Sequence, residues 1–164
     1  MQPNRRRAAG FSILELMVVI AVVALLAAVA TPSLVSWQRE RRLTGAAANL
    51  VADLELAKMR ALRENSFVAM IFSANGYTIF VDNGAGSGDP GDWVRSGDEP
   101  LVQTRTFPSG VQIPMSDLTL ANHRVRFNGR GFPLDVTATE SIPIVNEFGR
   151  RTITLTRLGN VRVN

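Results

Sequence analysis

Apolar residues fill the chain from Phe11 to Ala30, and only Ser12 and Glu15 interrupt them. At ~1.5 Å of rise per residue this run makes about 30 Å of helix, the thickness of a bilayer's hydrocarbon core. No second run of this kind follows. Thr31-Pro32-Ser33 comes next. Pro32 predicts a kink or local melting within a longer helix, or else the end of the membrane segment. From residue 34 to 64 the spacing becomes a stripe. Leu43, Ala47, Leu50, Leu54, Ala57 and Ala61 recur every three or four residues, one face of an amphipathic helix. Arg39, Arg42, Asp53, Lys58, Arg60 and Glu64 mostly occupy the rest. The small residues Ala46-Ala47-Ala48 let a sheet approach closely. Gly45 weakens the helix locally, since glycine costs about 1 kcal/mol against alanine there. Asn65-Ser66 supplies a stop, because asparagine tolerates the left-handed cap.

From Phe67 the period falls to that of extended chain. Phe67–Phe72 and Tyr77–Val81 flank Ser73-Ala74-Asn75-Gly76, a hairpin signal in which Asn-Gly is expected to supply the positive φ angles of a tight turn. Further strands are predicted at Leu101–Thr106, Val111–Ile113, Val125–Phe127, Ile142–Val145, Arg151–Thr156 and Val161–Val163. In Arg151–Thr156 the alternation places Ile153 and Leu155 on one face. Residues 82–100 form a long loop rich in Gly and Asp, with Trp93 as its one large aromatic. It reads as a mobile, solvated segment of the kind that often contacts partners. Trp93 serves either as its anchor or as an exposed contact. The fold class is α+β: a long N-terminal helix, membrane-spanning in its first half and amphipathic in its second, packed on an antiparallel β-sheet domain.

Composition sharpens this picture mainly by exclusion. The 164 residues contain no Cys, which removes disulfides, zinc-thiolate sites and thiol catalysis. The loop's oxygen-rich composition invites calcium, but it lacks the ordered acids and terminal glutamate of an EF-hand. His123 is the single histidine and lies in a polar stretch. Ser109-Gly110 has no nucleophile-elbow context. Glycines 84, 86, 88 and 91 lead into no amphipathic helix that would cradle a phosphate. The expectation is therefore no enzyme, no metal and no cofactor.

Charge bears on two places. Arg5, Arg6 and Arg7 precede the apolar run and orient it with its N-terminus in the cytoplasm and the rest of the chain outside. Residues 124–164 hold seven arginines (Arg124, Arg126, Arg130, Arg150, Arg151, Arg157 and Arg162) against three acids, a local +4. Such arginines near β-turns can grip phosphates without reading sequence, so DNA is a candidate partner. A neutralised sheet surface is the alternative. Arg39-Glu40-Arg41-Arg42 reads as a solvated charged turn or as a contact to lipid headgroups or neighbouring chains.

The N-terminal run itself admits three readings. A conventional signal peptide fits the basic start, the apolar middle and the small residues Ala28-Val29-Ala30 at a cleavage position. A plain membrane anchor fits the length. Neither explains Glu15, because a lone carboxylate in such a segment is costly unless paired. The third reading comes from a resemblance. Gly10-Phe11-Ser12-Ile13-Leu14-Glu15-Leu16-Met17-Val18-Val19-Ile20 resembles the processing signal of type IV prepilins and type II secretion pseudopilins.

That resemblance implies removal of a leader, residues 1–10, by a prepilin peptidase. The cut falls between Gly10 and Phe11, and Phe11 is then N-methylated. With three arginines gone, 15 basic residues would face 14 acids, a balance of +1 before the termini. It also implies that Glu15 pairs with the terminal amine of a neighbouring subunit and sets its register. Further matches to the GspH/FimT group of minor pilins and pseudopilins lie in Arg126-Phe127-Asn128-Gly129-Arg130-Gly131 and in Arg151–Thr156 followed by Leu158-Gly159-Asn160-Val161-Arg162-Val163. Many members of that group carry Gly-Arg where this chain has Gly159-Asn160.

The implied organisation is a leader (1–10), a transmembrane and filament-core helix (11–31), an amphipathic helix (32–65) and an exported β-rich domain (66–164). The implied protein is a minor pilin or pseudopilin. It helps to initiate or cap a type IV pilus or a type II secretion pseudopilus, or else contacts DNA during uptake. Its implied partners are other pilin-like subunits, the prepilin peptidase and methylase, and an inner-membrane assembly platform. Its implied place is the bacterial inner membrane, single-pass, with the C-terminal domain periplasmic. N-terminal sequencing of the mature protein is expected to begin at Phe11; a start at Thr31 establishes the conventional signal peptide instead.

Overall fold

The computed structural model describes residues 12–86 and 88–164, without the side chains of residues 30–32. One helix, α1, runs from Ile13 to Glu64. Its backbone stays helical through Pro32, so the proline does not end it. The chain divides after Gln38 into two units.

The second unit, Arg39–Asn164, contains the core. All six stripe residues from Leu43 to Ala61 are buried, joined by Ala46. The stripe packs on two antiparallel sheets. The larger has the order β3-β2-β1-β4-β5, and the smaller the order β6-β7-β8. The strands are β1 (Val68–Ser73), β2 (Gly76–Val81), β3 (Leu101–Thr106), β4 (Arg124–Phe127), β5 (Pro133–Leu134), β6 (Glu140–Asn146), β7 (Gly149–Leu155) and β8 (Val161–Val163). Val68, Met70, Ile79, Val81, Val125 and Phe127 from the first sheet join Ile142, Ile144, Ile153 and Leu155 from the second in one apolar cluster with the stripe. The expected antiparallel β-sheet domain is built from two sheets. The expected strand at Val111–Ile113 is a single bridge, in which Gln112 and Val145 exchange backbone hydrogen bonds of 3.0 and 2.9 Å. His123 closes a short 3-10 turn at the surface.

α1 ends as its sequence indicates. Asn65 takes φ 46°, and the Ser66 N–H reaches back to the Ala61 carbonyl at 3.2 Å, the hydrogen bond of a Schellman cap. The β1–β2 hairpin differs from expectation. Ser73 pairs with Gly76, so Ala74-Asn75 is the two-residue loop, and neither Asn75 nor Gly76 has a positive φ. Gly76 is needed for a different reason: a Cβ there would lie 2.1 Å from the Arg105 carbonyl oxygen of β3. The loop's carbonyls are occupied as well. Ala74 accepts from the Ile113 N–H at 2.9 Å and Asn75 from the Phe107 N–H at 2.8 Å, so the chain leaving β3 docks on the hairpin tip.

Asp53 departs most from the amphipathic pattern. It sits on the buried face of α1, 6% exposed. Its Oδ2 accepts the Tyr77 hydroxyl at 2.8 Å and the Arg105 Nε–H at 2.7 Å, while its Oδ1 accepts Arg105 Nη2 at 3.3 Å. One carboxylate therefore ties the helix to β2 and β3. A two-pronged Arg–carboxylate contact offsets the cost of burying both charges. The bond to Asp53 raises the Arg105 pKa above its ordinary value. Burial, and then the hydrogen bond to Asp53, push the Tyr77 pKa well above that of an ordinary tyrosine.

Because that pKa is raised on folding, Tyr77 contributes stability that is whole below the ordinary tyrosine value of ~10 and is lost as pH rises past it. In urea unfolding of the full chain in detergent, Tyr77→Phe is expected to cost about 1 kcal/mol at pH 8. It should also lose stability less steeply than the parent between pH 10 and 11, by up to ~1.4 kcal/mol per pH unit. Parallel pH profiles would show that this hydroxyl does not feel Asp53.

Candidate functional site

α1 begins at a serine. Ser12 Oγ accepts the Leu14 N–H at 3.3 Å, a donor that a helix start leaves orphaned, and the Ser12 carbonyl accepts the Leu16 N–H at 3.1 Å as the first bond of the helix. Glu15 falls in this first turn, where the helix dipole favours an anion. Its side chain is exposed, and it takes part in no ion pair among the described residues. Every large apolar side chain from Ile13 to Val29 is exposed too. A helix that is apolar all round is stable only inside lipid or a bundle of other helices. Among the described residues this is the one helix long and apolar enough to cross a membrane. Gly10, Phe11 and the arginines before them lie outside the described residues.

In the second unit, the turn between β6 and β7 reaches the helix at Arg39. Arg39 pairs with Glu147 at 2.5 Å, its guanidinium lies 5.3 Å from the Phe148 ring centre, and its carbonyl accepts from Asn146 Nδ2 at 2.9 Å. Arg42 donates to Ser109 Oγ at 3.2 Å. Arg39 thus holds the β6–β7 turn to the helix and Arg42 holds the segment that follows β3, so neither is merely solvated.

Loop 82–100 is built on two carboxylates that periodicity left unmarked. Asp82 and Glu99, at its two ends, are buried. Asp82 accepts the N–H groups of Gly91 at 2.8 Å and Trp93 at 3.3 Å. Glu99 accepts those of Gly84 at 2.8 Å and Ser96 at 2.9 Å. Burial raises the Asp82 pKa, and the two N–H donors partly counter it. Both acids are therefore committed to the loop's own backbone. Trp93 is the anchor of the two roles open to it. Arg124 and Arg126 lie over its ring, 4.3 and 4.7 Å from the centre, with Arg126 also 5.0 Å from that of Phe67. Arg126 donates to the Gly91 carbonyl.

This separates the seven C-terminal arginines. Arg124 and Arg126 are taken up by the loop. Arg150 pairs with Asp117 at 2.9 Å, and Arg151 lies 3.9 Å from Glu40. Arg130, Arg157 and Arg162 enter no ion pair among the described residues. Arg130 lies in the β4–β5 turn, Arg157 in the β7–β8 turn and Arg162 in β8.

Comparison with known proteins agrees with this organisation. The family described as Type II transport protein GspH matches residues 46–162, and the prokaryotic N-terminal methylation motif matches residues 5–31. Pilin-like protein PilA1 of Thermus thermophilus is 30% identical over 163 residues, which cover 94% of this chain and 97% of that one. The type IV minor pilin FimU of Pseudomonas aeruginosa superposes with a TM-score of 0.54 at 15% identity, over 74% of this chain and 92% of its own. The minor pseudopilin EpsH of the Vibrio cholerae type 2 secretion system gives 0.56 at 14% identity, over 75% and 96%. At these identities the two structures speak for the fold: one long helix on antiparallel sheets.

Proposed function

Because the chain belongs to the GspH family of minor pilins and pseudopilins, it is a structural subunit and not an enzyme, and we propose that it helps to initiate or cap a type IV pilus or a type II secretion pseudopilus. The carrying observation is an apolar helix, exposed all round, whose first turn holds one carboxylate without a partner among the described residues. Lipid covers the side chains but cannot satisfy the charge. Another subunit's N-terminal amine does. On this reading, the peptidase cuts between Gly10 and Phe11, and the methylated amine of one subunit's Phe11 meets Glu15 of the next. The match to the methylation motif over residues 5–31 supports that cut over one near Ala30. The helix is held in the inner membrane with residues 39–164 in the periplasm. From there an assembly platform transfers it into the filament.

Glu15→Val tests this. The variant is expected to stay in the membrane at parental abundance, since an apolar residue suits lipid better than a carboxylate. Its recovery in sheared filaments should drop by about tenfold or more, the loss that accompanies removal of a buried charge pair. Parental recovery would refute the role given to Glu15.

A further inference from the structure

Where the second half of α1 ends, two turns close over its flank. Gly131, in the β4–β5 turn, sits so near Leu62 that a Cβ would come within 3.2 Å of it. Gly159, in the β7–β8 turn, takes φ 76°, and a Cβ there would meet the Gly131 carbonyl at 3.0 Å and Lys58 Cε at 3.5 Å. Lys58 Nζ donates to the Gly159 carbonyl at 2.9 Å. Helix flank and turns thus form one continuous surface.

Its composition is unusual for a solvated face. Met59, Leu62, Phe132 and Leu158 are between 41% and 59% exposed. Arg130 and Arg157 stand in the same two turns without an ion-pair partner among the described residues. The helix's own carboxylates here are occupied, Glu55 by Lys58 at 3.8 Å and Glu64 by Arg60 at 2.6 Å. Asp135 is the one acid in the chain from 128 to 139. Exposed Met, Leu and Phe among arginines match the make-up of protein interfaces. A site that only tracked phosphates would have little use for four apolar side chains.

We propose that this surface docks a neighbouring filament subunit, and that the docked segment presents carboxylates beside apolar side chains. Two arginines without an ion-pair partner among the described residues, framing apolar side chains, are matched by acids that bring their own apolar neighbours. The proposal rests on the filament reading and assigns it a contact within residues 39–164.

The test places a photoreactive benzoylphenylalanine at Phe132 of the full-length chain in cells that assemble the filament, with the same probe at Leu101, exposed on β3, as control. The Phe132 probe is expected to crosslink to an acid-containing peptide of another subunit. The yield should fall by about tenfold or more in Arg130→Glu/Arg157→Glu, since like charges across an interface cost several kcal/mol. Unchanged protease resistance of that variant shows that its fold is intact. Crosslinks to nucleic acid, to a peptide without acids, or at no more than the Leu101 yield overturn the docking surface. So does a yield indifferent to the charge reversal. A parental chain found only in membranes and never in filaments refutes the filament reading, and the docking surface with it.

Discussion

Residues 39–164 are organised around one stripe of one helix, Leu43 to Ala61, and its burial is the constraint that the sheets answer. The stripe is half alanine, so it offers little area per residue; its value lies in letting strands come close. Burying apolar surface is worth about 25 cal/mol per Å². Most of that gain must therefore come from the sheet residues above the stripe, such as Met70, Phe127, Ile144 and Leu155. Asp53 then sets the register. A buried ion pair adds little stability over a well-packed apolar pair. One carboxylate held by Tyr77 and Arg105 nevertheless admits only one placement of β2 and β3 on the helix. Gly76 enforces the same placement from the strand side, because any side chain there would strike β3.

The first half of α1 obeys the opposite rule. It has no buried side: Ile13 to Val29 exposes every large apolar group. Such a segment takes its stability from what surrounds it. Glu15 is the exception within it, because lipid accepts the valines and leucines but leaves a carboxylate unsatisfied. The two halves of one helix thus differ in kind: one buries a stripe and builds a domain, and the other exposes its apolar side chains and one carboxylate.

What was legible in the chain follows from this division. The stripe residues are each buried, and Ile153 and Leu155 lie inward together, because helical and extended periods are local properties that burial makes visible. Asn65 as the helix cap was equally local. The features that periodicity did not reveal depend on partners elsewhere in the chain, some near and some far. Asp53 looks like an outer-face acid until Arg105 is placed against it, 52 residues on. Gly76 looks like a turn glycine until β3 is laid beside it. Asp82 and Glu99 look like part of a solvated loop, yet each folds the loop over itself through two N–H groups. The seven arginines look like one basic patch, but the fold spends four of them on Trp93, Asp117 and Glu40. Glu15 was legible as an anomaly in an apolar run.

On the proposed reading, the membrane helix is stored in lipid and completed by another subunit at Glu15. Zero-length coupling tests it most directly. Dicyclohexylcarbodiimide, itself apolar, joins a carboxylate to an amine only when the two are already in contact. Applied to assembled filaments that contain the full chain, it should yield an amide between the Glu15 side chain and the N-terminus of a neighbouring subunit, identified by mass spectrometry. Recovery of assembled chains whose Glu15 is never coupled to an amine would contradict the account.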